Sequence, residues 1–340
     1  MRLCFAAAIP SEKSQAKSDG YEGPIAKPVS GYGAEGIHSI NRIAFDNPAY
    51  KNGNQPEIFY AGDIPGPLPT IFFSHGFGAT RSTFYQGMMD FLARKGYAVV
   101  YVPYPIRAED VEARYTILWS GFKEAVRKYP QIIDTTKVGF AGHSFGGGAS
   151  FSLAYKGFVE EGWGEKGRFI FSLAPWYSYS ISDKQLAGFP KNTKLLMEVY
   201  ADDEMNDHRM AIDIFNSIGI DNSEKDYVVV ESDDVDGYTY RADHSLPVTH
   251  AQRQRPLDAY DYYAVYRLLD ALIDYSLNNN AAAKDIALGN GSAQQVTMPS
   301  YKQDTLKPLI VTDQPQPSHD SKYYFFPCSS QRNPRAALCN

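Results

Sequence analysis

Gly142-His143-Ser144-Phe145-Gly146 is a G-x-S-x-G pentapeptide set between two segments of different character. Before it, Val138-Gly139-Phe140-Ala141 is a short apolar run of the kind that forms a strand buried on both faces. After it, from near Gly147, the residues predict a helix. A serine at such a strand-to-helix turn stands at the carboxyl edge of a sheet with its hydroxyl pushed out, the arrangement called a nucleophile elbow. The two glycines keep the turn free of side-chain clashes, and the helix start behind it favours negative charge at the site.

The flanking pattern says what kind of sheet this is. Ile37 to Phe45 and Glu57 to Ala61 predict two opening strands, and Thr70-Ile71-Phe72-Phe73-Ser74 a buried one. Phe84, Met88, Phe91 and Leu92 then share a helix face that stops at Gly96. Ala98 to Val102 predicts a strand and Val111 to Lys128 a helix with Tyr115, Leu118, Phe122 and Val126 on one side. Phe169 to Leu173, Leu195 to Val199 and Tyr227 to Val230 continue the strands, with a helix carrying Met210, Ile212, Ile214 and Phe215 between the last two. A final amphipathic segment runs from Leu257 to Tyr275. Such alternation implies an α/β fold with a mostly parallel sheet and helices on both faces. Residues 1–36 read as an N-terminal tail or edge wrap, 37–277 as the α/β domain, and 278–340 as a C-terminal extension packed back on it.

Chain order assigns the chemistry. His75-Gly76-Phe77-Gly78 directly follows a predicted strand, where one oxyanion-hole amide belongs, and the residue after the serine supplies the other. These are the amides of Phe77 and Phe145; His75 itself reads as a structural hydrogen-bonding group. The base comes last in the order Ser, acid, His. His244, after the Tyr227 strand, fits that place; His250 is the rival, and His208, in a helix just past the acid turn, reads as a surface or capping residue. The acid belongs in Tyr200-Ala201-Asp202-Asp203-Glu204, where Asp203 is the choice and Asp202 and Glu204 stay open. Ser144 attacking an ester carbonyl, with His244 taking and returning the proton, requires no cofactor and no metal. Asp233, Asp234, Asp236 and Gly237 resemble a calcium loop without its bidentate Glu and read instead as an acidic turn. The tyrosines at 260, 262, 263 and 266 read as helix packing.

Composition narrows the setting. The chain has 340 residues, 44% of them apolar, and a net charge of −6 without a Lys/Arg block, which sets nucleic acid aside as a partner. No apolar run is long enough for a stable membrane span. Met1 to Ala8 is a scrap of apolar sequence, read as a disordered start rather than a lipid-anchored Cys4. Cys328 and Cys339 lie in a Pro/Ser/Asn-rich tail with no core of its own, where a disulfide would contribute about 3 kcal/mol. That favours an oxidising compartment, secreted or periplasmic. A monomer is expected.

Ser74-His75-Gly76-Phe77-Gly78-Ala79-Thr80-Arg81-Ser82, Gly142 to Gly148 and Leu173-Ala174-Pro175-Trp176 resemble the dienelactone-hydrolase, chlorophyllase and platelet-activating-factor-acetylhydrolase branch of the α/β-hydrolases. They are also similar to bacterial cutinases and polyester hydrolases. The likeness covers about Pro67 to Tyr275. It implies an α/β-hydrolase fold with an eight-stranded-type sheet, and Phe77 and Trp176 as walls of an open cleft that binds a small-molecule or polymeric ester. His75, Phe145 and Tyr177 depart from the polyester-hydrolase pattern. The expectation is a serine carboxylic-ester hydrolase for short to medium acyl esters. The alternatives are a polyester hydrolase, a lipase or thioesterase with the same triad, and an inactive binding protein on the same fold.

Overall fold

The computed structural model describes residues 20–107, 109–249, 255–317 and 321–336. Its centre is a nine-stranded sheet built from β1 (Ile40–Ala44), β2 (Glu57–Ala61), β3 (Leu68–Ser74), β4 (Ala98–Tyr101), β5 (Ile133–His143), β6 (Gly167–Leu173), β7 (Thr193–Tyr200), β8 (Lys225–Val230) and β13 (Ile310–Thr312). The spatial order is β1-β2-β4-β3-β5-β6-β7-β8-β13. The six strands from β4 to β8 pair in parallel, and β1, β2 and β13 are antiparallel. Every residue of β4 and β6 is buried, as expected of strands covered on both faces.

Alternation along β3 divides the core in two. Ile71 and Phe73 face α1 (Gln86–Arg94) and α6 (Arg267–Leu277), packing with Met88, Leu92, Leu269 and Leu272. Phe72 points the other way, into the layer of α2 (Val111–Lys128), α3 (Phe145–Tyr155) and α5 (His208–Ser217), with Phe122, Phe151 and Phe215. Helix α2 has the predicted bounds because its ends carry their own signals. Asp110 accepts the Ala113 amide at 2.7 Å, and Arg127 and Lys128 sit in the last turn. Helix α3 begins at Phe145, earlier than its composition suggested.

The sheet exceeds the eight strands expected, and the reason lies in the extension. β13 pairs antiparallel with β8 and covers an edge that would otherwise be open. The N-terminal part from Gly20 to Gly36 is likewise no free tail: Ile25 is buried, Glu22 donates its amide to the Leu257 carbonyl at 2.8 Å, and Gly33 donates to Asp270 Oδ2 at 3.1 Å. The predicted Leu257–Tyr275 helix is α6 preceded by a wider turn of π-helix, Asp261–Tyr266. Its tyrosines pack and bond inward, Tyr260 to the Glu231 carbonyl and Tyr262 to Glu35.

The short elements α4 (Asp183–Ala187), α7 (Lys284–Ala287), α8 (Ala293–Val296), β11 (Ser300–Tyr301) and β12 (Asp304–Thr305) complete the described chain, together with a hairpin of β9 (Asp233–Val235) and β10 (Tyr238–Tyr240). Asp236 and Gly237 turn that hairpin with φ of 50° and 79°, the conformation a two-residue turn with positive φ needs. Asp236 is paired with Lys302, and Asp234 accepts from Thr239. The acidic run is thus spent on a turn. Among the described residues, no group of three or more His, Cys, Asp or Glu is placed to hold a metal ion, and no helix is long and apolar enough to cross a membrane.

Candidate active site

The carboxyl ends of β3, β5, β6, β7 and β8 lie side by side; Phe77, Ser144, Trp176 and Asp203 follow the first four, and His244 follows β8 and its β9–β10 hairpin. Ser144 sits between β5 and α3 with φ 55° and ψ −121°. A non-glycine residue is held there only when its surroundings over-determine it. The flanking glycines show how. A Cβ on Gly146 would stand 1.9 Å from the Ser74 carbonyl oxygen, and one on Gly142 would stand 2.3 Å from the Gly146 oxygen. Backbone packs on backbone at both points, so only glycine fits.

Three of the candidates form one relay. His244 Nε2 lies 2.9 Å from Ser144 Oγ, and His244 Nδ1 lies 2.7 Å from Asp203 Oδ2. A carboxylate only accepts, so the imidazole carries its proton on Nδ1 and presents Nε2 to the hydroxyl. Asp203 is buried, and its Oδ1 accepts the Met205 and Asn206 amides at 2.7 and 2.9 Å. Asp202 and Glu204, which the sequence left open, are exposed and point elsewhere. His250 lies outside the described residues. His208, read as a surface or capping residue, is the first residue of α5, buried, and donates to the Tyr200 carbonyl at 2.9 Å.

His75 and His143 flank the serine without joining the relay. His75 is stacked on Tyr104 at 4.0 Å between ring centroids and donates Nδ1–H to the Gly76 carbonyl at 2.7 Å. Burial pushes it down to about 4, so it holds the loop as a neutral ring. His143 was not singled out by sequence. It bonds the His244 carbonyl through Nε2 at 2.8 Å and accepts from the Tyr85 hydroxyl at 2.8 Å. Asn206 was also missed. Its side chain donates to the Ala174 carbonyl at 2.7 Å and lies 3.4 Å from Ser144 Oγ. Its one sequence signal is its place three residues after Asp203, where its amide can reach back.

A cleft of about 800 Å³ opens over Ser144, walled by Phe77, Phe145, Trp176, Met205 and Phe325. The Phe77 and Phe145 amides have no acceptor among the described residues; the latter belongs to the first residue of α3, where helices leave amides unpaired. Trp176 is half-buried, and its amide donates to the Ser144 carbonyl at 2.8 Å. Its ring meets Phe325 and Phe326 at 5.9 and 5.8 Å. The C-terminal segment therefore forms part of the cleft, which is less open than expected. A second cavity of about 560 Å³, with Asp202, Glu204, Arg241 and Asp243 in its lining, shares Met205, His244 and Ser245 with the first. The expected Cys328–Cys339 ring involves Cys339, which lies outside the described residues.

No protein-family model matches the chain, and no curated protein is significantly similar to it. The class defined is α/β, with a large, mostly parallel sheet between helical layers and a Ser-His-Asp relay at its carboxyl edge.

Proposed function

We propose that the protein is a serine carboxylic-ester hydrolase with an α/β-hydrolase fold, secreted or periplasmic, and working through an acyl-enzyme. The observation that carries this reading is the relay itself: hydroxyl, imidazole and buried carboxylate in contact at 2.9 and 2.7 Å. Ser144 Oγ attacks the ester carbonyl while His244 Nε2 takes its proton. Asp203 holds the ring in the right tautomer and stabilises the imidazolium. The carbonyl oxygen, now an oxyanion, meets the Phe77 and Phe145 amides, each worth about 3 kcal/mol to the transition state. The alcohol departs with the proton from His244, and water repeats the cycle on the acyl-enzyme.

The resemblance to the dienelactone-hydrolase and polyester-hydrolase groups supports the same reading, and the aromatic walls Phe77 and Trp176 suit short to medium acyl esters. The test is labelling by a fluorophosphonate, followed by initial rates on p-nitrophenyl acetate, butyrate and octanoate. Label on Ser144, with rates about 1,000-fold lower or more in Ser144→Ala, is expected. Absence of label together with equal rates in both proteins would leave an inactive binding protein as the better description. Octanoate outpacing acetate with activation at an interface would move the assignment to a lipase.

A further inference from the structure

Asn206 joins the loops that follow β5, β6 and β7. It is buried, and it stands one residue before Asp207, whose side chain caps α5 by accepting the Arg209 amide at 2.8 Å. Its backbone N–H donates to Asp203 Oδ1 at 2.9 Å, and its side-chain Nδ2 donates to the Ala174 carbonyl at 2.7 Å. A carbonyl only accepts, so the amide nitrogen and not its oxygen faces that loop. Ala174 is itself held at a φ of 39°, with its own amide bonded to the Glu198 carbonyl at 2.7 Å. One hydrogen of Nδ2 is thus spent on the backbone. The other lies toward Ser144 Oγ, 3.4 Å away. Among the described residues, His244 and Asn206 are the side chains that bond this oxygen. Their roles are opposite: His244 Nε2 takes the hydroxyl proton, and Asn206 Nδ2 can only donate one.

We propose that Asn206 is a further catalytic residue, donating through Nδ2–H to Ser144 Oγ and chiefly speeding deacylation; the inference rests on the esterase reading above. In the free protein the bond occupies a lone pair of Oγ and turns the hydroxyl hydrogen onto His244 Nε2. At 3.4 Å it is long, as catalytic hydrogen bonds of an unliganded site often are, and it shortens as charge collects on Oγ. The two half-reactions use it differently. In acylation Oγ forms a bond to the acyl carbon while its proton passes to His244. A donor on Oγ eases loss of that proton but withholds electron density from the attack, so its two effects oppose each other. In deacylation they act together. The N–H draws electrons from the ester oxygen, so that water, giving a proton to His244, adds more readily to the acyl carbon. When the tetrahedral intermediate collapses, the Oγ–C bond breaks, its electron pair stays on Oγ, and Oγ takes a proton from His244 Nε2. A fixed donor at that oxygen stabilises the departing charge.

The test separates the two half-reactions, on the full chain, in Asn206→Leu, near in size but without a donor, and in Asn206→Ala. Stopped-flow release of p-nitrophenolate from p-nitrophenyl butyrate gives acylation from the burst and deacylation from the steady rate that follows. A fluorophosphonate labels Ser144 by the attack step alone. In both variants deacylation is expected to fall about tenfold, the size of one hydrogen bond to a group gaining charge. The burst and labelling rates stay within about threefold of wild type, so kcat and KM fall together while kcat/KM holds. Rates are taken per labelled site, and loss of folded protein does not move the ratio of the two steps. Equal losses in acylation and deacylation, or no labelled serine in either variant, would assign Asn206 to holding the Ala174 loop and overturn the proposal, as would wild-type values for both steps. In each of those cases a labelled Ser144 in the wild type leaves the esterase standing. No label on the wild type overturns both.

Discussion

His143 donates its Nε2–H to the backbone carbonyl of His244 at 2.8 Å, and the two rings lie 4.7 Å apart. The bond is one end of a chain. His143 Nδ1 accepts from the Tyr85 hydroxyl, which in turn accepts the Gly76 amide at 2.9 Å. The loop that carries Phe77 is thus tied to the loop that carries the base through the residue just before Ser144. Burial, and then the proximity of His244, hold His143 well below the usual histidine range, so the ring stays neutral and keeps one donor and one acceptor.

His143 is on this account a positioning residue for His244. His143→Asn is expected to lower kcat about tenfold to a hundredfold with little change in KM, because a displaced base costs the chemical step more than binding. Tyr85→Phe, which cuts the chain one link further away, should lower it less. Steady-state kinetics on p-nitrophenyl butyrate decides. If kcat is retained in both variants, the chain is packing and nothing more.

The acid turn makes a sharper test, since three adjacent carboxylates differ only in where they point. Asp203→Asn keeps the shape but allows the wrong tautomer of His244, and a fall in kcat of about 10⁴ is expected. Asp202→Asn and Glu204→Gln, at exposed positions, should stay within about threefold of wild type. A large loss in either of those two, with Asp203→Asn active, would reassign the acid.

Buried titratable groups give stability a predictable pH dependence. His75 is driven down to about 4 by burial, so the unfolded chain binds a proton that the folded one refuses between about 6.5 and 4. Stability is lost as pH falls through that window, by about 3 kcal/mol from this residue. His143 acts in the same sense. Glu198 is opposite: burial, against the milder pull of Tyr200 and Arg267, pushes it up to about 8. The folded state then holds a proton that the unfolded state releases above about 4.5, and stability falls as pH rises toward 8. Urea unfolding of Glu198→Gln from about pH 5 to about pH 8 should gain about 1.4 kcal/mol per pH unit relative to wild type. A difference that stays flat across that range would mean that Glu198 titrates normally.

Much of this was legible because the constraints are local. The pentapeptide, the buried runs at β3, β5 and β6, and the cap and charge signals of α2 each follow from residues within a few positions of one another. Ser144, Asp203 and His244 are far apart in sequence, yet they follow β5, β7 and β8 in chain order at one edge of the parallel sheet. Long-range partners carry no such signal. Nothing near Ile310 marks it as the strand that closes the β8 edge, and nothing near Phe325 or Arg332 says that they meet Trp176 and the cleft. His143 was hidden for another reason: the second position of the pentapeptide accepts many residues, and its partners arrive from Tyr85 and His244.

The C-terminal wall is held mainly by Tyr177. Its buried hydroxyl donates to the Phe326 carbonyl at 3.0 Å and accepts the Phe326 amide at 2.8 Å, while the rings stack at 5.0 Å. Tyr324 to Asp213 at 2.9 Å and Arg335 to Asp183 at 2.8 Å hold the segment on either side. Tyr177→Phe keeps the stacking but leaves a peptide group unsatisfied, at a cost of about 1–3 kcal/mol concentrated in the wall. Tryptic cleavage after Arg332 should then quicken by about tenfold, since cleavage follows the population of the opened segment. The KM for p-nitrophenyl butyrate should rise with it, because Phe325 and Phe326 leave the cleft together. Wild-type cleavage kinetics in Tyr177→Phe would show that the flanking contacts hold the wall without the hydroxyl.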